Sequence, residues 1–206
     1  MALILTIVSI LIILIINELW WRIKKPNDEI SRKAVHITVG VLVAFWPYFL
    51  SWNEIELLGV AFLVVTYVSK RLKVFQAIHS VQRPTWGELF FAASVTLIAL
   101  ITHDKLIYMT AILSMGLADG LAAIFGSYFG KNTNYNIFGY TKSVVGSLTF
   151  FIVSAVILLN YSNHVGQPHA TGAYLALALA STALENFSVF GLDNLFVPLL
   201  IAICLR

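Results

Sequence analysis

Long apolar runs separated by short polar stretches dominate this sequence. A helix needs about 20 mostly apolar residues to span a bilayer, and the runs predict segments at roughly 2–21, 31–50, 55–70, 86–102, 106–130, 143–161, 169–187 and 194–205. The runs are too long, and polar residues too sparse, for the alternating strands of a membrane β-barrel. The pattern therefore predicts an all-α polytopic bundle of seven or eight transmembrane helices, in which the short last segment spans or re-enters the bilayer.

The composition agrees with a membrane protein. The chain is 59% hydrophobic and 11% charged, whereas soluble domains carry roughly a quarter of charged residues. No repeat divides the chain, so we expect one integral membrane domain over residues 1–206, with the first helix, 2–21, at its periphery. No small-residue cleavage site follows this helix, so we expect it to be retained rather than removed as a signal peptide.

Basic residues are distributed unevenly between the two ends of the segments. Of the 13 basic residues, Lys105 and Arg206 lie at one end and the other eleven lie at the opposite end: Arg22, Lys24, Lys25, Arg32, Lys33, Lys70, Arg71, Lys73, Arg83, Lys131 and Lys142. By the positive-inside rule this end faces the cytosol and the N-terminus lies outside. So few basic residues, all beside membrane segments, exclude a nucleic-acid partner and leave membrane lipids as the surroundings. The single cysteine, Cys204, excludes disulfides and cysteine metal sites.

Five polar clusters belong to different segments but point to one membrane face. They are SRKAVH at 31–36, RPTWGE at 83–88, ADG at 118–120, TKSVVGS at 141–147 and LENFSVFGLDN at 184–194. The ADG cluster lies inside segment five, about three turns from the cytosolic Lys131. This convergence predicts a functional site at the cytosolic side of the bundle.

Asp119 is the most unusual of these polar residues, because a charged group inside a bilayer helix costs ~2.5–3.5 kcal/mol and usually needs a partner. Ala118, Ala122, Gly126 and Gly130 recur at four-residue spacing around it. Such a stripe serves either as a helix-packing seam or as a smooth surface for a nucleotide or an isoprenoid tail. Asp119 itself is either a structural ion-pair member or a functional carboxylate.

The remaining acidic and basic residues suggest phosphate and metal binding. Lys142 and Ser143 begin a predicted helix, where free N–H groups favour an anion, although a lysine there also determines topology. Glu185 and Asp193 offer oxygen ligands that suit Mg²⁺. Asp193 and Asn194 are equally well placed to cap segment eight.

Two further candidates lie near the starts of helices. Arg32, His36 and Gly40 share one face of segment two. His36 is suited to act as a general base or a positioning group, or simply to be a buried, hydrogen-bonded histidine. Glu88 is a weaker candidate, since an acid in the first turn of a helix is favoured by the helix dipole alone.

Taken together, the clusters resemble the polyprenol kinase family. RKAVHITVG at 32–40, TWGE at 85–88, LADGLAAIFGSYFGK at 117–131, TKSVVGSLTFF at 141–151 and E…GLDNLFVP at 185–198 occur in the family's order. The family includes dolichol kinase, phytol kinase and CTP-dependent diacylglycerol kinase, and it is more distantly similar to phosphatidate cytidylyltransferase. The resemblance covers residues 30–200, which would form the catalytic core.

The resemblance implies Mg²⁺-dependent (or other divalent-cation-dependent) phosphoryl transfer from a nucleoside triphosphate, usually CTP, to the hydroxyl of a membrane lipid alcohol. It implies that Asp119 is the central carboxylate, which either binds the metal or orients the substrate hydroxyl, in a catalytic set with Lys142 and His36. Glu185 and Asp193 would belong to the same polar site, so Asp119, Glu185 and Asp193 are the candidate metal ligands. It implies phosphate contacts from Arg32, Lys33, Lys131, Lys142, Ser143, Gly120 and Gly146, with Glu88 and Asn194 as additional candidates. At 206 residues the chain looks like the short prokaryotic and phytol-kinase-like members, so a polyprenol or phytol substrate in a prokaryotic plasma membrane is expected.

Two kinds of alternative use the same residues. A CTP-dependent diacylglycerol kinase or a cytidylyltransferase would have a similar site, and only its products would differ. A small transporter would use Asp119 and His36 as coupling groups, but transporters usually carry a paired repeat and midplane polar groups.

Overall fold

The computed structural model describes residues 1–24, 28–72, 85–167 and 170–206 of the chain. These residues are mostly helical, with one small hairpin, so the predicted all-α class is confirmed. Nine α-helices are described: α1 (Ala2–Lys24), α2 (Asp28–Ala44), α3 (Trp52–Leu72), α4 (Gly87–Ile101), α5 (Lys105–Leu113), α6 (Gly120–Phe129), α7 (Val144–His164), α8 (Thr171–Phe187) and α9 (Asp193–Leu205).

One long helix forms the centre of the bundle. It consists of α5, a π-helical segment at Ser114–Asp119, and α6. This helix contacts α2, α7 and α9, while α3 packs on α4 and α8 packs on α7 and α9. Its most apolar stretch is 67% buried, against 11% for α1. The helix that carries Asp119 therefore lies inside the protein, and α1 lies at its edge.

Local sequence signals set where several helices begin and end. Ser51 and Glu54 form a capping box before α3, with Glu54 Oε2 accepting from the Ser51 N–H at 2.8 Å. Asp104 caps α5 by accepting from the N–H groups of Leu106 and Ile107 at 2.8 and 2.9 Å. The predicted segment 31–50 is wrong at its end, because α2 stops at Ala44 and a short 3₁₀ turn follows at Trp46–Tyr48. Pro47 lies in that turn, and a proline cannot continue an α-helix.

The sequence patterns gave no sign of a β-hairpin between α6 and α7. Strands β1 (Asn134–Ile137) and β2 (Tyr140–Ser143) pair antiparallel, with Tyr135 opposite Lys142. The two-residue turn places Phe138 and Gly139 at φ values of +49° and +83°. Hairpin turns of this kind require positive φ at both central residues.

Three of the described helices are long and apolar enough to cross a bilayer: Ala2–Lys24, the continuous Lys105–Phe129, and Val144–His164. Gly87–Ile101 and Asp193–Leu205 are apolar but shorter. These helices support association with a membrane. The count of seven or eight spans stays a prediction, as does the orientation, and Lys25, Lys73 and Arg83, on which the orientation partly rested, lie outside the described residues.

Candidate functional site

A polar cavity of about 350 Å³ lies where the helix ends meet the hairpin. Its walls come from the start of α2, the start of α4, the inner face of α6, the hairpin, the start of α7, the end of α8 and the start of α9. The predicted site residues that line it are Arg32, Lys33, Asp119, Lys131, Lys142, Ser143, Gly146, Glu185, Asp193 and Asn194. Residues more than 150 positions apart in the chain therefore meet in one place, as the convergence of polar clusters predicted.

Asp119 is paired inside the protein. Its carboxylate forms a salt bridge with the Lys33 ammonium, and both residues are buried. His36 Nε2 lies 3.3 Å from Asp119 Oδ2 and 3.2 Å from the Met115 carbonyl oxygen. A carboxylate inside a membrane helix usually needs a charged partner, and here that partner is Lys33. The sequence had suggested Lys33 as a phosphate ligand and not as the partner of Asp119.

The π-helical segment brings Asp119 close to α2. A single π turn inside an α-helix adds a residue to the turn and often occurs at functional sites. Here the segment packs backbone to backbone against α2, since a Cβ added at Gly116 would lie 3.1 Å from the Gly40 Cα. The absence of side chains at both glycines lets Lys33 and His36 of α2 reach Asp119. The predicted face of Arg32, His36 and Gly40 is the one in contact.

Lys142 and Glu185 form a second ion pair across the cavity. The Lys142 ammonium donates to the Glu185 carboxylate and, at 3.0 Å, to the Glu185 backbone carbonyl. Burial alone would lower the pKa of Lys142, but the attraction of Glu185 and Asp193 outweighs it and holds that pKa above its ordinary value. Lys142 is therefore a fixed positive charge at neutral pH.

Three carboxylates converge between these ion pairs. One oxygen from each of Asp119, Glu185 and Asp193 lies within 4.8 Å of the oxygens of the other two. Oxygen ligands around Mg²⁺ at ~2.0–2.1 Å lie about 3–4 Å from each other, so a small inward movement or a bridging water brings this trio to that geometry. The donor set and its spacing fit a hard divalent cation.

The charges of the cavity walls cancel among its lining residues. Four basic side chains, Arg32, Lys33, Lys131 and Lys142, face four acidic ones, Glu29, Asp119, Glu185 and Asp193. A polyphosphate placed here would find no net positive charge from the protein alone. A divalent cation on the carboxylate trio would supply the missing positive charge, which is how Mg²⁺ usually binds together with phosphates.

Ser143 and the small-residue stripe have structural tasks here. The Ser143 hydroxyl caps α7 by accepting from the Gly146 N–H at 3.0 Å. A Cβ at Gly126 would lie 3.2 Å from the Gly146 Cα, so α6 and α7 approach closely at this point. Ala122 and Gly126 also line the cavity. The stripe is therefore a packing seam that leaves room for the polar cavity.

Gly120 and three other predicted site residues lie elsewhere or act indirectly. Gly120 is not among the residues that line the polar cavity, and a Cβ there would meet Ile37 Cγ1 at 2.2 Å. Its position supports packing of α6 on α2 instead of the predicted phosphate contact. His36 and Glu88 line a separate small cavity, described below. Asn194 lines the polar cavity and donates to the Gly87 carbonyl at 3.1 Å.

A network that the sequence did not reveal fixes the hairpin beside the site. The Tyr135 hydroxyl donates to the Asn186 side-chain oxygen, which also accepts from the Ser147 hydroxyl at 2.9 Å. The three residues come from β1, α7 and α8. The network therefore anchors the strand pair that carries Lys142, and the unusual polar residues in NYNI and LENF were the only available signal.

The turn before α9 docks against the start of α4. Phe190 and Gly191 have φ values of +57° and +87°, and the Trp86 N–H donates to the Phe190 carbonyl at 2.9 Å. A Cβ on Gly191 would lie 2.5 Å from the Gly87 Cα. Two glycines in contact therefore set the position of Asp193.

We expect Gly191→Ala to destabilise the protein more than Gly166→Ala. Both glycines have positive φ, so both variants carry backbone strain of about 1 kcal/mol. A Cβ added at Gly191 would also clash with the backbone of Gly87, whereas a Cβ added at Gly166 would have no atom within 4 Å. The clash at Gly191 adds roughly 1–3 kcal/mol to the destabilisation. Thermal melting in detergent measures the difference, and equal melting temperatures would contradict the docking contact.

Comparison with known proteins agrees with this picture. A protein named phytol kinase from Synechocystis sp. is 33% identical over 189 residues, which cover 88% of this chain and 80% of that protein. An uncharacterised protein of Methanocaldococcus jannaschii is 25% identical over 183 residues, covering 84% of this chain and 91% of the relative. No protein-family profile matches the chain, and no solved structure matches it. The identity to the Synechocystis protein over most of both chains shows that this chain belongs to the polyprenol and phytol kinase family.

Proposed function

We propose that this protein is a lipid-alcohol kinase, which transfers the γ-phosphoryl group of a nucleoside triphosphate to the hydroxyl of an isoprenoid alcohol such as phytol. The observation that carries the proposal is the cavity in which three buried or half-buried carboxylates and four basic side chains meet, in a member of a kinase family. The expected donor is CTP, by resemblance to the family. The expected location is the cytosolic face of a prokaryotic plasma membrane.

In phosphoryl transfer the protein mainly positions the two substrates and neutralises the charge of the phosphates. The alcohol oxygen attacks the γ-phosphorus, the bond from that phosphorus to the bridging oxygen breaks, and the nucleoside diphosphate leaves. The hydroxyl proton passes to water in the cavity. Because the transition state is loose, little help from a strong base is needed.

The basic side chains of the cavity are suited to hold the phosphates. Lys142 is held in place by Glu185, and Lys131, which is exposed at the start of the hairpin connection, is free to turn toward a nucleotide entering from water. Arg32 is anchored by Glu29 at 2.7 Å. We assign nucleotide binding to Arg32, Lys131 and Lys142 on these grounds.

Asp119, Glu185 and Asp193 would hold a divalent cation, for which Mg²⁺ is the expected ion. When bound, the cation would neutralise phosphate charge and orient the γ-phosphoryl group. Lys33 and His36 fix the Asp119 carboxylate from the side of α2. They hold Asp119 in one orientation before nucleotide arrives.

The position of the cavity suits one water-soluble and one membrane substrate. It lies at the end of the bundle where α2, α4, α7 and α9 begin and where α6 and α8 end. The basic residues of the chain concentrate at this same end, which supports a cytosolic orientation. A nucleotide would enter from the aqueous side, and a lipid alcohol has its hydroxyl at the same depth.

The proposal is tested by incubating purified protein in detergent with phytol, farnesol, a polyprenol or diacylglycerol, each with CTP or ATP. We expect an isoprenoid monophosphate and a nucleoside diphosphate, detected by mass spectrometry. Release of pyrophosphate with a cytidine diphosphate lipid would identify a cytidylyltransferase instead. Absence of a phosphorylated lipid with every pair would contradict the kinase proposal.

A further inference from the structure

A second, smaller cavity is lined by Arg32 and His36 together with apolar side chains. It has a volume of about 50 Å³ and apolar walls formed by Leu14 of α1, Val35 and Val39 of α2, Phe62 of α3 and Phe91 of α4. Phe91 meets the His36 ring edge-on at a centroid distance of 5.1 Å, and Phe62 meets Phe91 at 5.9 Å. Arg32 lines this cavity and the polar cavity alike. Arg32 therefore borders both spaces.

Two residues that line the small cavity carry unsatisfied polar atoms. Among the residues that the structure describes, Arg32 Nε and Glu88 Oε2 are buried without a hydrogen-bond partner. The side chain of Arg32 is 7% exposed, and one of its two terminal nitrogens, Nη2, is already bound to Glu29. A buried polar atom without a partner costs about 1–3 kcal/mol, so these two atoms leave one donor and one acceptor that a ligand hydroxyl can satisfy.

The unsatisfied donor of Arg32 and the unsatisfied acceptor of Glu88 match the two hydrogen bonds that an alcohol hydroxyl can make. A hydroxyl can donate to Glu88 Oε2 and accept from the N–H of Arg32 Nε at the same time. The apolar walls suit the first carbons of a hydrocarbon chain, and a free phosphate or a nucleotide would bring far more polar atoms than they can match. The chemistry of the cavity thus fits the head of a lipid alcohol.

The outer wall of this cavity is the most lipid-exposed helix of the bundle. Leu14 is buried against α2, but Leu11 and Ile15 on either side of it are 46% and 51% exposed. Since α1 contacts mainly α2, an apolar chain can reach the cavity from the lipid beside α1 without crossing the polar cavity.

We propose that the cavity between α1, α2, α3 and α4 is the acceptor-alcohol subsite, in which Arg32 and Glu88 bind the hydroxyl and the isoprenoid tail leaves toward the lipid past α1. This inference rests on the proposed kinase function and deepens it. It places the tail away from the small-residue stripe of α6, which is occupied by packing against α7. The hydroxyl and the γ-phosphoryl group thus meet at the Arg32 guanidinium, which borders both cavities.

The kinetic test uses two variants that alter the small cavity and leave the polar cavity unchanged. Thr66→Phe fills the cavity, since Thr66 lines it and is 6% exposed. Glu88→Leu removes the hydroxyl acceptor at similar size. We expect each variant to raise the KM for phytol about ten-fold or more, while the KM for the nucleotide changes less than about two-fold. Leu97→Phe, a similar aromatic gain on the outer face of α4, is the control and should match wild type.

A labelling experiment on the wild-type protein does not depend on how the variants fold. Geranylgeraniol carrying a diazirine on its second isoprene unit is irradiated with the full-length protein, and the labelled peptides are identified. We expect label on α1, α2, α3 or α4 that excess phytol removes. Label confined to α6 and α7, or unchanged KM values for phytol in both variants, would overturn the subsite. A wild-type protein that phosphorylates no alcohol would instead overturn the kinase proposal.

Discussion

Asp119→Asn is expected to lower phosphoryl transfer to a lipid alcohol by about 10²–10³-fold or more, a loss typical of removing one preorganised charge-stabilising group. The substitution keeps the size of the side chain but removes the charge from the centre of the carboxylate trio. The rate of lipid phosphate formation from labelled nucleotide measures the effect. An Asp119→Asn protein with near wild-type transfer would show that the carboxylate has no part in the reaction.

A control is needed because Asp119 is also a buried ion-pair partner. Asp119→Asn leaves the Lys33 ammonium buried without its carboxylate, which typically costs ~3–5 kcal/mol of stability. The double variant Asp119→Asn with Lys33→Met removes both charges, so it should recover much of the melting temperature. It should not recover activity. Recovery of both would assign Asp119 a structural role alone.

Removal of divalent cations is expected to abolish transfer, with a residual rate below about 1% of the starting value. The reason is that the lining charges of the cavity cancel, so that a nucleoside triphosphate lacks counter-charge without a cation. Adding Mg²⁺ back after chelation should restore the rate. Full activity in excess chelator would contradict a metal role for the trio.

The matched variant for this experiment is Asp193→Asn, because Asp193 belongs to the trio but takes no part in the Lys33 or Lys142 ion pairs described above. We expect it to require about ten-fold or more Mg²⁺ for half-maximal rate, as for the loss of one metal ligand or supporting group. Binding of Mn²⁺ measured by electron paramagnetic resonance should weaken in parallel. A normal Mn²⁺ affinity would leave Asp193 only the role of an acid in the first turn of α9, since Leu192 is the N-cap residue of that helix.

The sequence predicted where the site lies better than it predicted which charged residues form ion pairs there. Polar clusters at the ends of antiparallel helices must meet at one end of a bundle, and this placed Asp119, Lys142 and Glu185 together. It did not reveal that Lys33 pairs with Asp119, because the two residues are 86 positions apart. Helical periodicity states which residues share a face, but not which neighbouring helix that face contacts.

The same limitation explains the positions of Glu88 and Gly120. Each lies on a predicted helix close to the polar clusters, yet neither lines the polar cavity: Glu88 lines the small cavity, and Gly120 packs against Ile37 of α2. The direction of a helix face depends on tertiary packing, here on the contact between Gly40 and Gly116. The hairpin was missed because its strands have four residues each and its Phe-Gly turn lacks the usual Asn-Gly or Asp-Gly signal.

The most direct test of the central claim compares the position of the label in CTP. Purified protein is incubated with phytol and Mg²⁺ and with CTP labelled either at the γ-phosphorus or at the α-phosphorus. The account predicts that γ-label appears in a lipid monophosphate and that α-label stays in cytidine diphosphate. Transfer of α-label into the lipid would contradict it. So would a lipid that carries no label after incubation with labelled CTP and with the correspondingly labelled ATP.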